Sequence, residues 1–137
     1  MIIRHKPHRT SVARRANKPA VITLYLHEVG QVPEVPPKEE RALIARIRRG
    51  DSAARDRLIK GSLRRVVQIS REFEGIHLPL LDLISEGNLG LLKAVNQFNP
   101  QQDEDFSSYS TWWIRQSIKR ALANGASRKR PRKAAMN

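Results

Sequence analysis

No cysteine occurs among the 137 residues, which excludes a disulfide framework, a Cys-based zinc site and a thiol nucleophile. Long apolar runs are also missing, the longest being a few residues against the roughly 20 that a membrane-spanning helix needs. The first residues lack the apolar stretch of a secretory signal peptide. They are Arg-rich, as an organelle transit peptide would be, but residues 1–19 hold a single serine, Ser11, and little apolar face. Histidines are few and scattered: His5 and His8 lie near the N-terminus, His27 and His77 alone near segment ends. No nucleophile–base pair can be assembled, and neither an enzyme nor a cofactor is expected. Gly87-Asn-Leu-Gly90-Leu-Leu-Lys93 lacks the Gly-Lys-Ser/Thr ending of a phosphate loop, and Asp103-Glu-Asp105 lacks the alternate spacing of a calcium loop.

Acidic residues are absent from both ends of the chain. Lys and Arg number 26 against 13 Asp and Glu, a net charge of +13. Residues 1–20 carry six basic side chains (Arg4, Lys6, Arg9, Arg14, Arg15, Lys18) and no acid. Residues 115–137 carry eight (Arg115, Lys119, Arg120, Arg128, Lys129, Arg130, Arg132, Lys133), again with no acid. Between them the chain is almost neutral. Its length suits one compact domain with tails, and its charge suits an anionic partner, although solubility alone would also account for it.

Turn signals divide the middle of the chain into helices. Val21–Glu28 is a short amphipathic segment closed by Gly30 and Pro33. Pro36-Pro37 followed by Lys38-Glu39-Glu40 starts a helix, because proline fits the first turn and acids favour its dipole; Leu43, Ile44 and Ile47 form its stripe and Gly50 ends it. Asp51 or Ser52 caps the next, with Leu58, Ile59, Leu63, Val66, Val67, Ile69 and Phe73 inward until Gly75 and Pro79. A third long helix turns Leu80, Leu81, Ile84, Leu91, Leu92, Val95 and Phe98 inward. Gly87 and Gly90 within it each forfeit about 1 kcal/mol of helix propensity relative to alanine, which points to a close backbone neighbour. Asn99–Asp105 reads as a loop, and the last helix starts near Ser107 and fades after Asn124-Gly125. No strand alternation is visible, so the fold class is all-α: a basic tail at 1–19, a compact helical domain over 20–124 and a second basic tail at 125–137, both tails disordered.

Aromatic residues are scarce, seven in all, yet Phe98, Phe106, Tyr109, Trp112 and Trp113 fall within 16 residues. On a helical wheel of about 100° per residue, Ile114, Ile118, Ala121 and Leu122 share one side. Tyr109, Trp113, Gln116 and Arg120 share the other, flanked by Trp112 and Lys119. The aliphatic side suffices to bury the helix, which leaves the aromatic and basic side to face a partner. Capping the core is the usual fate of a tryptophan and accounts for one of the two; adjacent residues point about 100° apart, so it fits both less well. Flat rings beside Arg, Lys and Gln suit unstacked bases, which places nucleic acid ahead of a protein partner.

Two stretches, Asp82-Leu-Ile-Ser-Glu-Gly-Asn-Leu-Gly-Leu-Leu-Lys-Ala-Val-Asn-Gln-Phe98 and Phe106-Ser-Ser-Tyr-Ser-Thr-Trp-Trp-Ile-Arg-Gln-Ser-Ile-Lys-Arg-Ala-Leu122, closely resemble region 2 of bacterial sigma-70-type RNA polymerase sigma factors. Leu24–Gly30 and the helix ending Gly50-Asp51 are similar to region 1.2, and Lys60–Val67 resembles region 2.1. The likeness covers roughly residues 21–124. It implies a compact helical domain of a bacterial cytoplasmic protein that docks on core RNA polymerase and opens promoter DNA, without a membrane or a cofactor. It assigns Asp82, Ser85, Glu86, Asn88 and Leu92 to the clamp coiled coil of the largest polymerase subunit, where acids and small glycines would suit a basic helix approaching closely. Tyr109, Trp112 and Trp113, with Phe106 and Ser108 beside them, match the residues that capture bases of the single-stranded −10 element from the non-template strand. Gln116 and Lys119 match positions at the upstream edge of that element, and Arg120 a phosphate contact.

The sequence also departs from the family pattern. The loop before Phe106 is acidic where the family's is commonly basic. Ser62 replaces a usual asparagine that lines the pocket for a downstream base, and Arg65 replaces an apolar residue in the same stretch. The resemblance stops after Asn124, and the family's later domains, which bind the −35 element and the polymerase flap, have no counterpart in this sequence. Two alternatives therefore stand beside strand capture: a sigma-like module that occupies the polymerase clamp without productive initiation, and a nonspecific basic nucleic-acid binder acting through its tails.

Overall fold

A computed structural model describes residues 18–101 and 105–129, in which every regular element is an α-helix. The helices are α1 (Lys18–Gln31), α2 (Pro37–Arg48), α3 (Ser52–Arg71), α4 (Leu80–Gln97) and α5 (Phe106–Lys129). By internal contacts the chain divides into two units, Met1–Gln31 and Val32–Asn137. The described part of the first is α1, which has Pro19 as its second residue, where a missing N–H leaves no helical bond unmade. The described ends of the two expected tails, Lys18-Pro19 and Gly125–Lys129, are thus helical; the rest of those tails lies outside the described residues.

In the second unit the boundaries follow the turn chemistry. Pro36 and Pro37 open α2, with Glu39 and Glu40 in its first turn and Arg46 and Arg48 in its last, the order that the helix dipole favours. Gly50 adopts φ +87°, which lets its N–H reach the Ile47 carbonyl and the Asp51 N–H reach that of Arg46, so the chain reverses at once. Of the two caps expected for α3, Asp51 is the one used: its Oδ1 accepts from the Ala54 N–H at 3.0 Å. α5 opens one residue earlier than its sequence suggests, and it runs through Gly125 instead of ending there. A Cβ at residue 125 would lie 3.2 Å from His77 Nε2, so this glycine makes room for a ring from the α3–α4 connection.

α4 packs against both α3 and α5, and α2 lies on α3. The core comprises Leu43 and Ile44 of α2, Leu58, Val66 and Ile69 of α3, Leu83, Ile84, Leu91 and Ala94 of α4, and Ile114, Ile118 and Leu122 of α5. Leu83 and Ala94 join it unexpectedly, whereas Ile59, Leu63, Phe73, Leu80, Leu81 and Leu92 are only half-buried. The close neighbours of Gly87 and Gly90 are internal. A Cβ at Gly87 would sit 2.8 Å from Val66 Cγ1, and one at Gly90 would sit 2.5 Å from the Trp113 carbonyl oxygen and 2.9 Å from Ile114 Cα. Gly90 lets α4 cross the backbone of α5, and Gly87 makes room for side chains of α3 and α5; neither prepares α4 for an outside helix. Gly90→Ala should therefore destabilise the protein by about 1–3 kcal/mol in urea unfolding, despite alanine's better helix propensity, because a backbone carbonyl cannot move aside.

Candidate nucleic-acid interface

The N-terminus of α5 is secured locally. Asp105 Oδ1 accepts from the Ser108 N–H at 2.9 Å, and this bond holds the Asp105 carboxyl below its usual range. One acid of the loop before Phe106 is thereby occupied as a helix cap, while Asp103 and Glu104 lie outside the described residues. Thr111 donates to the Ser107 carbonyl at 2.8 Å.

From this start the aromatic residues form a chain of touching rings that runs from the core to the surface. Phe106 meets Phe98 edge-on at 5.5 Å, Phe98 meets Tyr109 at 5.1 Å, Tyr109 meets Trp113 at 6.3 Å, and Trp113 meets Trp112 at 5.4 Å with the rings perpendicular. Edge-to-face contacts of this kind suit ring quadrupoles and give the outer rings a rigid base. Burial falls along the chain: Phe98 and Phe106 are buried, Tyr109 and Trp113 half-buried, and Trp112 is 55% exposed. The sequence places Phe106 in the partner-facing set, but its ring is 2% exposed. It therefore supports that face from beneath. A residue at the first position of a helix has no preceding turn from which its direction can be read.

Ser108, Lys119 and Arg120 are exposed and Gln116 is half-buried. Arg115 is held elsewhere: its Nε and a terminal nitrogen donate to the two carboxylate oxygens of Glu72 at 3.1 and 2.9 Å, a fork that ties the end of α3 to α5. Arg120 lines a groove of about 300 Å³ between α5 and α4, with Ser117, Ala121 and Asn124 on its own side. The opposite wall includes Glu86, Leu89, Leu92 and Lys93.

That wall leads to the second candidate face. Asp82 and Ser85 are exposed on α4, Glu86 and Leu92 are half-exposed, and Leu89, absent from the expected set, is 52% exposed among them. Its spacing from Ser85, Glu86, Leu92 and Lys93 at helical intervals was the available signal. Asn88 lies at the edge of this stripe, three residues after Ser85 and four before Leu92, but its side-chain oxygen is shielded from solvent with no hydrogen-bond donor.

Of Ser62 and Arg65 only the first is internal; the Arg65 side chain is 24% exposed. Ser62 is buried and donates to the Leu58 carbonyl within α3 at 2.8 Å. Arg65 reaches from α3 to the Glu40 carboxylate at 3.4 Å and the Ser110 hydroxyl at 3.2 Å, joining α2, α3 and α5. Burial pushes the Glu40 carboxyl above its ordinary value, opposed by the attraction and hydrogen bond of Arg65. Glu40 lies on the same stripe as Leu43, Ile44 and Ile47, so its inward direction is visible in the sequence, although its partner is not.

Two outward faces on crossing helices, one of exposed rings and cations and one of acids around a leucine, mark the surface of this all-helical module. The chain belongs to the sigma-70 family: residues 58–128 match the family model for Sigma-70 region 2. Over 105 residues, 77% of its length, it is 49% identical to the RNA polymerase sigma factor SigA of Clostridium acetobutylicum. Over 101 residues, 74% of its length, it is 50% identical to the RNA polymerase sigma factor RpoS of Coxiella burnetii. It spans 28% and 29% of the lengths of these two relatives. The family match extends to residue 128, slightly beyond Asn124, as does α5. No described helix is long and apolar enough to cross a membrane.

Proposed function

We propose that this chain acts in transcription initiation as the part of a sigma factor that binds core RNA polymerase and holds the melted −10 element of a promoter. The outward stripe of α4, comprising Asp82, Ser85, Glu86, Leu89 and Leu92 with Asn88 at its edge, docks on the clamp coiled coil of the largest polymerase subunit. On α5, Tyr109, Trp112 and Trp113 capture unstacked bases of the non-template strand, Ser108 and Gln116 offer polar contacts, and Lys119 and Arg120 hold phosphates. Unstacking a base takes a few kcal/mol, and stacking on the exposed rings returns about 1–3 kcal/mol per base.

The observation that carries this reading is the graded ring chain, in which buried Phe98 and Phe106 brace half-buried Trp113 and exposed Trp112. Core packing uses the opposite, aliphatic side of α5 and gives no reason for an indole to stand in solvent. A labelled single-stranded −10 oligonucleotide, titrated with the full chain with and without purified core polymerase, tests it. Binding that requires the −10 sequence supports strand capture. A chain that only occupied the clamp would bind core and leave the oligonucleotide free in both titrations. A nonspecific binder would bind any sequence equally and lose affinity on deletion of residues 1–17. On the α4 side, Leu89→Ala should weaken core binding about five- to tenfold while changing folding stability by no more than about 0.5 kcal/mol, since the side chain is largely exposed.

A further inference from the structure

Resting on that reading, we infer that Arg65 is a positioning residue for strand capture: its guanidinium, gripped by the buried carboxylate of Glu40, holds the first turns of α5 at Ser110 and so fixes where Tyr109, Trp112 and Trp113 stand. The acceptors are buried and the Arg65 side chain partly so. Glu40 is 3% exposed and Ser110 fully buried, and Arg65 spans the distance between them from α3. Ser110 directly follows Tyr109 and lies less than one turn from Trp112 and Trp113, so its hydroxyl is an anchor point inside the ring-bearing segment. That hydroxyl is engaged on both sides, donating to the Ser107 carbonyl at 3.2 Å and accepting from Arg65.

The charges around the guanidinium come from each element packed there. Glu40 faces it from α2, and Asp105, the cap of α5, feels both Arg65 and Arg41. Of these two carboxylates, Glu40 is the one hydrogen-bonded to the fork. The planar guanidinium serves Glu40 and Ser110 from two separate nitrogens held in a fixed fork, whereas a lysine ammonium would have to reach both from one freely rotating nitrogen. The pair contributes little to stability, because burial of Glu40 outweighs what Arg65 returns, and pairs of this type are often replaceable by apolar residues without loss. What it supplies is direction. The rings above must meet bases within a fraction of an ångström, and the fork links their segment to two other helices.

The test uses the full chain, free and bound to core polymerase, with a labelled single-stranded −10 oligonucleotide. Glu40→Leu combined with Arg65→Leu removes the anchor without stranding a buried charge or amide, and Arg65→Lys keeps the charge while losing the fork. The double variant should retain its thermal midpoint and its affinity for core. Its near-ultraviolet circular dichroism, which reports the coupled rings, should diminish, and oligonucleotide affinity should fall roughly tenfold with the salt dependence unchanged, as a sub-ångström misplacement predicts. Arg65→Lys should fall between the double variant and the parent, and it carries the comparison if the double variant fails to fold. A salt slope reduced by about 0.7 would instead make Arg65 a phosphate ligand and overturn the inference. So would unchanged ring dichroism and affinity while Trp112→Ala combined with Trp113→Ala abolishes binding. If that tryptophan control also binds normally, strand capture itself has failed, and the inference goes with it.

Discussion

Replacing Trp112 and Trp113 together by alanine is expected to weaken binding of the single-stranded −10 element by at least about thirtyfold. Each base stacked on a ring contributes about 1–3 kcal/mol, so losing two platforms removes about 2 kcal/mol at the least, and every 1.4 kcal/mol is a factor of ten. The effect should exceed any loss of folding, because Trp112 is 55% exposed and Trp113 is only half-buried. Salt dependence separates the rings from the cations. Removing rings should leave the slope of log affinity against log salt unchanged, whereas Lys119→Ala and Arg120→Ala should each lower it by about 0.7 and weaken all sequences alike. Fluorescence anisotropy at several salt concentrations, with core polymerase present, measures both. Normal affinity in a folded double variant would leave the aromatic face without a role in DNA binding.

The second large effect concerns stability. Arg65→Ala leaves the Glu40 carboxylate buried without its partner, a loss of about 3–5 kcal/mol at pH 7. Domains of this size hold roughly 5–15 kcal/mol in total, so the loss is a large fraction of the whole. The pH dependence has a definite sign. Glu40 has a folded pKa raised above its ordinary 4.5, so its contribution to stability is greatest below pH 4.5 and is lost as pH rises through the folded value. Removing Arg65 raises that folded value further. The deficit of Arg65→Ala should therefore be large at pH 7 and shrink toward pH 4.5, and Glu40→Gln should restore most of it. Asp51, Glu72 and Asp105 titrate in the opposite sense: their carboxyls are held below the ordinary range, so the stability they supply falls as the solution is acidified. Asp105 also feels Arg65, so the comparison that isolates Glu40 is urea unfolding at each pH of Arg65→Ala against Arg65→Ala combined with Glu40→Gln, both of which lack the guanidinium.

Helix boundaries in the 32–129 region were largely legible because they depend on neighbours in sequence. Pro36-Pro37, Gly50-Asp51 and Pro79 each act within one turn, and each marks an end where it was expected. The side of α5 that enters the core was legible for a similar reason, since Ile114, Ile118 and Leu122 recur at the helical period and all three are buried. Gly125 misled because the room it makes is for His77, far away in sequence. Leu89 was passed over because it belongs to an outward stripe of mixed chemistry, which hydropathy alone does not reveal.

Local propensity and periodicity thus settled by themselves that this chain is helical, where most of its helices turn, and that one helix carries rings and cations opposite its buried side. Only the tertiary structure decided that Phe106 lies beneath that face and not on it, that Gly87 and Gly90 serve internal packing, and that Arg65 pairs with Glu40 across 25 residues of sequence. The physical reason is range. Caps, turns and stripes are set by groups a few residues apart, whereas the direction of a ring at a helix start and the partner of a buried charge depend on which other helix arrives beside them.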